Sequence, residues 1–281
     1  MKVLSHKYIL PNEDGIVKEL ERDGYMTSQY ISMMQEYLDK LEVKGKVAFL
    51  YAGGVLLPAS EARNAVDKEK YRENINTSGT CIREVAAYSM HKWIGMINGK
   101  ENIVYANING NTCASSMYSL YEAERLLNDG FDEVVIIAEE KTSYNTLRIF
   151  DEHSINLKVG EGCAIVHLGK AANPVDEDIV ECKWAYEYNR NPFGVTASGY
   201  TKVLSECDYV KPHGTGTVNN ETAEKVYGDI PQVRYKEKYG HTQGVSGLLE
   251  VCLVLDEAVE GRVMCVSSGL GNYYGSCIVQ K

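Results

Sequence analysis

Short apolar runs alternate with longer amphipathic stretches along the chain, a pattern typical of α/β architecture. In the first half, the apolar runs predict strands at 1–10, 46–52, 102–109, 133–138 and 162–168. Apolar residues at helical spacing predict helices at 25–41, 81–97 and 115–128, with a loop or frayed helix over 60–78.

The second half repeats this order. Strands are predicted at 179–188, 208–212, 262–267 and 276–280, with an extended segment at 232–236. Helices or helical turns are predicted at 197–207, 220–227 and 245–259. The segment 245–259 is apolar nearly all round, so we expect it in the middle of the molecule, between layers. The similar order of the two halves, with five strand candidates in each, indicates a duplication.

Composition excludes several classes of function. The 281 residues carry a formal net charge of −10, which argues against a general nucleic-acid binder. The longest apolar stretch, 47–59, contains two glycines and a proline and is too short to span a bilayer. The first residues lack the apolar core of a signal peptide, so a cytoplasmic protein is expected. The 8 cysteines form no CxxC motif, which gives a metal site or a redox pair little support.

Three stretches carry candidate chemistry, and each also has a plain structural explanation. Cys113, in TCASS at 112–116, lies between a strand and a helix start, where backbone N–H groups and the helix dipole favour the thiolate. It can equally be a buried thiol. His213 opens the glycine-rich HGTGT at 213–217, or is a core histidine beside a turn. His241, in KEKYGHTQGVSG at 236–247, precedes the apolar helix, or only caps it.

Together, in this order, the three stretches resemble the β-ketoacyl synthase (ketosynthase) family of condensing enzymes, which have the thiolase fold. GFDEVVIIA at 130–138, FD at 150–151 followed by GEGCAIV at 160–166, and SGLG at 268–271 extend the similarity. The resemblance implies an α/β, thiolase-like fold of two duplicated βαβαβαββ halves in a layered αβαβα core. Residues 1–170 would form the half with the nucleophile and 171–281 the half with both histidines, in one compact domain.

The resemblance also implies roles for individual residues. Cys113 would be the nucleophile that takes an acyl group from a carrier thioester. His213 and His241 would promote decarboxylation of a malonyl-type extender and stabilise the enolate. The backbone N–H groups of Cys113 and Leu270 would form a second oxyanion hole. The remaining site residues that match the family are its active-site lysine, its buried glutamate and the threonines that bind the phosphopantetheine arm: Lys236, Glu161, Thr215 and Thr217. Lys236 and Glu161 can also belong to structural ion pairs near the site.

Four departures from the family pattern affect the surroundings of the site. Asn220 and Glu221 replace a glycine and an aspartate after HGTGT, while Glu224 is kept. Leu270 stands where a phenylalanine often gates the pocket, and Asn272 where a glycine is usual. Residues 138–140 are Ala-Glu-Glu in place of Ala-Gly-Gly. A changed gate would alter which acyl chains reach Cys113.

The resulting hypothesis is a decarboxylative condensing enzyme of fatty acid or polyketide biosynthesis. The alternatives are an acyltransferase or thioesterase of the same fold, and a non-catalytic partner subunit of a condensing heterodimer. Expected partners are an acyl carrier protein or coenzyme A thioesters and a second copy of the chain, or a heterodimer partner, with no metal or bound organic cofactor. Candidate basic residues for carrier docking, unless they are scattered solvated charges, are Lys202, Arg190, Lys211 and Arg148. The chain is short for the family, so we expect a reduced core with a more open site that its dimer mate or another protein completes.

Overall fold

The computed structural model describes residues 1–10, 16–17, 28–53, 87, 90–140, 159–192, 194–257 and 259–281. Its strands are β1 Lys2–Ile9, β2 Ile16–Val17, β3 Val47–Gly53, β4 Ile103–Asn109, β5 Glu133–Glu140, β6 Val159–Gly160, β7 Gly162–Gly169, β8 Ile179–Tyr186, β9 Tyr209–Lys211, β10 Arg262–Gly269 and β11 Tyr273–Gln280. The helices are α1 Ser28–Lys40, α2 Ser115–Asn128, α3 Ala197–Thr201, α4 Val218–Ala223, α5 Lys236–Tyr239 and α6 Ser246–Asp256. Single 3₁₀ turns cover Lys100–Asn102, Thr112–Ala114, Pro174–Asp176, Glu224–Tyr227 and Gln243–Val245.

The first sheet has five strands in the order β1-β7-β5-β3-β4. β3 runs parallel to β4 and β5, whereas β7 runs antiparallel to β5 and β1. All eight residues of β7 are buried, as are six of the seven in β3, because helices cover both faces of the sheet. The five strands predicted in the first half are all confirmed, within three residues at each end.

The second sheet has four strands in the order β8-β11-β10-β9, and only β9 and β10 are parallel. The prediction of an extended segment at 232–236 is largely wrong. Within the described residues, this segment contributes an isolated bridge between Val210 and Gln232, and Lys236 already opens α5. The segment is polar and enters a helical turn at once, so it is too short to form a fifth strand.

Two helices form the central layer between the sheets. α2 packs against β3, β5, β8 and β11, and α6 packs against β7 and β10. The first nine of the eleven residues of α6 are buried, which confirms the expected place of the apolar helix. It ends at Asp256 and not at 259, because the chain turns extended at Glu257. A Cβ on Gly247 would lie 2.8 Å from the Ser116 hydroxyl, so the two helices cross in close contact.

The outer faces of both sheets are covered as well. α1 and residues 90–97 pack their apolar side chains on the first sheet, and α3, α4 and the 224–227 turn cover the second. The layers therefore follow the order αβαβα. Of the helix predicted at 81–97, residues 87 and 90–94 are helical, and 60–78 lie outside the described residues. In the described part of the chain, no helix is both long and apolar enough to cross a membrane.

Candidate active site

Cys113 lies in the 3₁₀ turn 112–114 that connects β4 to α2. Thr112 opens this turn with a positive φ of 53°, a conformation that few non-glycine residues adopt. The end of β10 supports the turn, since a Cβ on Gly269 would lie 2.5 Å from the carbonyl oxygen of Asn111. Only a glycine fits at this point of contact, and the second sheet thereby fixes the position of the thiol.

The thiol of Cys113 is partly exposed but enclosed by protein on most sides. Its pKa is raised to about 12, chiefly by burial and also by the carboxylate of Glu140, while the ammonium of Lys236 acts in the opposite direction. The prediction that the helix start favours a thiolate is therefore wrong for the resting protein. Burial and the acidic neighbour outweigh the helix dipole, so the resting group is a thiol.

The two histidines lie side by side. His213 follows β9 and His241 follows α5, and their ring centroids are 5.2 Å apart at an interplanar angle of 83°. Both side chains are buried. The backbone of His241 is tied to the first half of the chain, because its carbonyl accepts the Gly160 N–H at 3.1 Å. The site is thus assembled from both halves.

The hydrogen bonds of His241 determine which ring nitrogen carries its proton. The Gln243 N–H donates to Nδ1 at 3.3 Å, so Nδ1 is an acceptor. The Ser246 hydroxyl lies 3.0 Å from the same atom and itself accepts the Thr242 N–H at 3.1 Å, which leaves its proton free to point at Nδ1. The neutral ring therefore carries its hydrogen on Nε2, as a donor.

Both imidazoles are neutral at physiological pH. Burial lowers the pKa of His213 and of His241 well below the usual value of a histidine, and the positive charge of Lys236 lowers each of them further. Lys211 acts on both rings in the same direction. A pair of neutral imidazoles can donate hydrogen bonds to a developing negative charge without themselves carrying a charge.

Lys236 belongs to a buried cluster with Glu250 and Lys211. Its ammonium donates to one Glu250 oxygen at 2.7 Å, and the Lys211 ammonium contacts the other. Burial lowers the pKa of Lys236, although Glu250 opposes the shift. The proposal of Lys211 as a surface docking residue is wrong, because only 1% of its side chain is exposed and it is paired with Glu250.

The HGTGT loop next to His213 depends on its two glycines, since Gly214 and Gly216 have φ values of 64° and 70°. The Gly214 N–H donates to Glu224 at 2.8 Å, so this glutamate fixes the loop. Thr215 and Thr217 lie with their hydroxyl oxygens 3.1 Å apart. The loop places both hydroxyls together, beside the histidine.

The remaining predicted site residues lie at the periphery of this group. Glu161 is buried between β6 and β7, next to the Gly160 amide that holds the His241 backbone. Leu270 is partly exposed, and its carbonyl is 3.4 Å from the Thr112 hydroxyl, on the nucleophile turn. Asn272 has a φ of 66°, which asparagine tolerates better than most residues, and so it can replace a glycine. Phe150, Asp151 and Arg148 lie outside the described residues.

Two further groups belong to the site although the sequence analysis gave them no role there. Glu140 ends β5, is buried, and accepts the Gly244 N–H at 3.3 Å; the sequence suggested only a changed turn. Glu250 is the only charged residue among the first ten positions of the apolar helix α6. The available signal was a lone charge in an apolar helix for Glu250, and a pair of glutamates directly after an apolar strand for Glu140. Among the described residues, no three histidine, cysteine or acidic side chains are arranged to hold a metal ion.

Comparison with solved structures identifies the architecture. No protein-family model matches the sequence, and no curated protein sequence is significantly similar to it. A β-ketoacyl synthase from Burkholderia phymatum superposes with a TM-score of 0.61 at 16% identity, over 84% of this chain and 76% of that chain. A type II polyketide ketosynthase solved with its acyl carrier protein gives a TM-score of 0.64 at 14% identity, over 85% and 79%.

A third structure matches in length as well. It is a ketosynthase in complex with its chain length factor from Xenorhabdus doucetiae, with a TM-score of 0.66 at 12% identity, over 99% of this chain and 97% of that chain. At these identities the likeness shows the fold. The chain has the α/β, thiolase-like fold of ketosynthases, which confirms the fold class predicted from its motifs.

Proposed function

We propose that this protein is a β-ketoacyl synthase-like condensing enzyme. One observation carries the proposal: the charge of Lys236 acts on the partly exposed Cys113 and on two buried, neutral imidazoles whose ring centroids are 5.2 Å apart. The thiol can hold an acyl group, and the imidazoles can stabilise the enolate that attacks it. The nucleophile comes from residues 1–170 and the histidines from 171–281, so both halves are needed.

The first step is acyl transfer. The Cys113 sulfur attacks the thioester carbonyl of a phosphopantetheine-bound acyl group, a new thioester forms, and the bond to the phosphopantetheine sulfur breaks. The thiol proton ends on the departing phosphopantetheine thiol, with a neutral imidazole as the carrier of the proton. The amides of Cys113 and Leu270 hold the negative oxygen of the tetrahedral intermediate, and Thr215 and Thr217 bind the phosphopantetheine arm.

The second step forms the carbon–carbon bond. A malonyl-type thioester loses carbon dioxide, and its electron pair forms an enolate that accepts hydrogen bonds from His213 and from Nε2–H of His241. The enolate carbon attacks the acyl carbonyl on Cys113, and the β-ketoacyl product leaves with its phosphopantetheine. The cysteine sulfur departs with the electron pair and then takes up a proton. Lys236 and Glu161 keep the surroundings of the histidines in place.

We further propose that the enzyme works with an acyl carrier protein and as a dimer. Two of the superposed ketosynthases were solved with an acyl carrier protein or a chain length factor. β4 is an edge strand that exposes Val104 and Tyr105, by 63% and 36%, and a second copy pairing there would cover both. Arg190 and Lys202 remain as exposed basic residues for carrier docking, although Lys202 pairs with Glu187 at 2.9 Å.

The test is the intact mass of the protein after incubation with a panel of acyl-carrier and coenzyme A thioesters, with and without a malonyl donor. We expect one acyl group on Cys113, followed by release of carbon dioxide and a β-keto product when the malonyl donor is added. Cys113→Ala should lose both, whereas Cys207→Ala, which removes another partly exposed thiol, should keep both. Acyl transfer without carbon dioxide would favour a simple acyltransferase, and no acylation at all would favour a non-catalytic subunit.

A further inference from the structure

A second buried lysine lies behind the histidines, and the proposed reaction gives it no role. Lys211 ends β9, two positions before His213. Its ammonium donates to the Val266 carbonyl at 2.8 Å and contacts one carboxylate oxygen of Glu250. The other oxygen of Glu250 accepts the Lys236 ammonium at 2.7 Å. A single carboxylate is therefore shared by two lysines, in a part of the protein where solvent does not screen charge.

We infer that Lys211 is a positioning residue of the site: it takes one oxygen of Glu250 and leaves the Lys211–Glu250–Lys236 cluster with one uncompensated positive charge beside Cys113, His213 and His241. With both lysines protonated, two positive charges contact one carboxylate, and the value of this excess for catalysis rests on the proposed function. A positive charge there favours the thiolate that attacks the thioester. It also opposes protonation of the imidazoles, which must be neutral to serve as donors.

The other ionisable groups near the site carry charges of their own, and each of them affects a different part of the site. Glu140 faces Cys113 and disfavours its thiolate. Glu224 supports the His213 loop through the Gly214 amide, and burial raises its pKa. Glu161 lies beside the His241 segment. The positive charge of Lys236 lowers the pKa of Cys113 and of both histidines. The positive charge of Lys211 lowers the pKa of the two histidines and of Lys236. The cluster therefore transmits its charge to Cys113 through Lys236.

The number of charges left in the cluster predicts the order of the alkylation rates of three variants. The cluster holds two ammonium groups and one carboxylate in the native protein. Lys211→Met balances the charge, Glu250→Gln increases the excess, and the double variant restores the native excess. The readout is the rate of Cys113 alkylation by iodoacetamide at pH 8, followed on the Cys113 peptide by mass spectrometry. We expect alkylation about tenfold slower in Lys211→Met, faster in Glu250→Gln and near native in the double variant, as shifts of about one pKa unit imply.

The control variant is Lys183→Met. Lys183 also donates to a backbone carbonyl, that of Leu204 at 2.6 Å, but it lies on the edge strand of the second sheet. It should leave the alkylation rate unchanged. A native rate in Lys211→Met, or a change in the same direction in Lys211→Met and Glu250→Gln, would overturn the inference, since lost packing does not follow the sign of the charge.

Folding failure of Lys211→Met would not end the test. Glu250→Gln and the double variant differ only at Lys211, and alkylation must be slower in the double variant; equal rates contradict the inference. Alkylation needs no acyl substrate, so the ordered rates can be found even in a protein that never condenses. If the alkylation rates follow this order but Cys113 takes up no acyl group, only the proposed function is refuted. If the protein catalyses condensation, lowering the pH should inactivate Lys211→Met at a higher pH than the native protein. The reason is that the imidazoles of the variant bind protons at a higher pH.

Discussion

The turns that begin α2 and α6, at the centre of the molecule, share a backbone conformation but carry different side chains. Thr112 and Gln243 both open a three-residue 3₁₀ turn with a positive φ, of 53° and 49°, and a serine then begins α2 or α6. The second position of each turn is Cys113 in one half and Gly244 in the other. The match in a strained conformation is physical evidence for the duplication that the order of elements predicts.

The strand ends that meet these turns also differ. Gly269, at the end of β10, packs directly on the Cys113 turn and brings no side chain to it. Glu140, at the end of β5, meets the Gly244 turn, where its carboxylate takes the backbone amide. One turn thus carries a thiol beside a strand end without a side chain, whereas the other is closed by the Glu140 carboxylate. The same turn geometry therefore serves two different local chemistries in the two halves.

Moving the thiol to the other turn should produce the largest effect. We expect Cys113→Gly to lose acyl loading by about a thousandfold or more, because no other group replaces the nucleophile. Adding Gly244→Cys should not restore it, since the Glu140 carboxylate already occupies that turn, hydrogen-bonded to its backbone amide at 3.3 Å. Intact mass after exposure to an acyl thioester measures both variants. Acylation at position 244 would show that the two turns are chemically equivalent.

Gly247→Ala tests the close crossing of the two helices. The new Cβ would lie 2.8 Å from the Ser116 hydroxyl and 3.1 Å from that of Ser267, so we expect a loss of about 1–3 kcal/mol in the free energy of unfolding. Denaturant titration gives this value. Gly110→Ala, with nothing within 4 Å of the new Cβ, should stay within about 0.5 kcal/mol of the native protein. Equal losses in both variants would contradict a packing cause.

Glu140→Gln should make the nucleophile turn more reactive. Removing the negative charge lowers the pKa of Cys113, and we expect iodoacetamide to alkylate this thiol up to about tenfold faster at pH 8. Glu139→Gln is the matched control, because Glu139 points to the other face of β5 and accepts from Tyr51 and Trp93 at 2.6 and 3.2 Å. An equal acceleration in both variants would show that the charge of Glu140 is not the cause.

The last prediction concerns the pH dependence of stability. The histidines of the second half have folded-state pKa values far below the unfolded value of 6.5, so the unfolded chain binds more protons below that pH. Stability is then complete above about pH 6.5 and falls by about one kcal/mol per histidine for each pH unit below it. Unfolding titrations between pH 7 and 5 measure the slope. An unchanged slope in His213→Gln and His241→Gln would refute this origin.

Periodicity predicted the central elements well because their burial is nearly complete. The apolar runs that become β5 and β7 have few polar interruptions, and α6 is apolar on every side, so each could be assigned from local sequence. The end of α6 at Asp256 could not be assigned from local sequence, because it depends on where the chain turns. Nor could the absence of a fifth strand from the second sheet, as far as the structure describes it, because pairing depends on which sheet edge is free.

The site was predictable only where a motif marks it. Cys113, His213, His241 and Lys236 stand in short recognisable stretches, and the structure brings them together. The burial of Lys211 depends on Glu250, 39 positions later, and a lysine on its own is far more often a surface residue. The protonation of Cys113 likewise depends on a balance of burial against Glu140 and Lys236. Neither the burial of Lys211 nor the protonation of Cys113 can be predicted from a local sequence pattern.

The place of β1 has a consequence for how the chain is made. Among the described residues, β1 is an edge strand that pairs with β7 alone, with Lys2 opposite Gly169 and Ile9 opposite Cys163. During synthesis, the opening strand must wait for the ribosome to release the whole of β7 before its backbone can pair. A strand left unpaired for that long is a point where a nascent chain aggregates or recruits a chaperone. Lys2 and Lys7 place positive charges on β1, and these charges help to keep such an intermediate in solution.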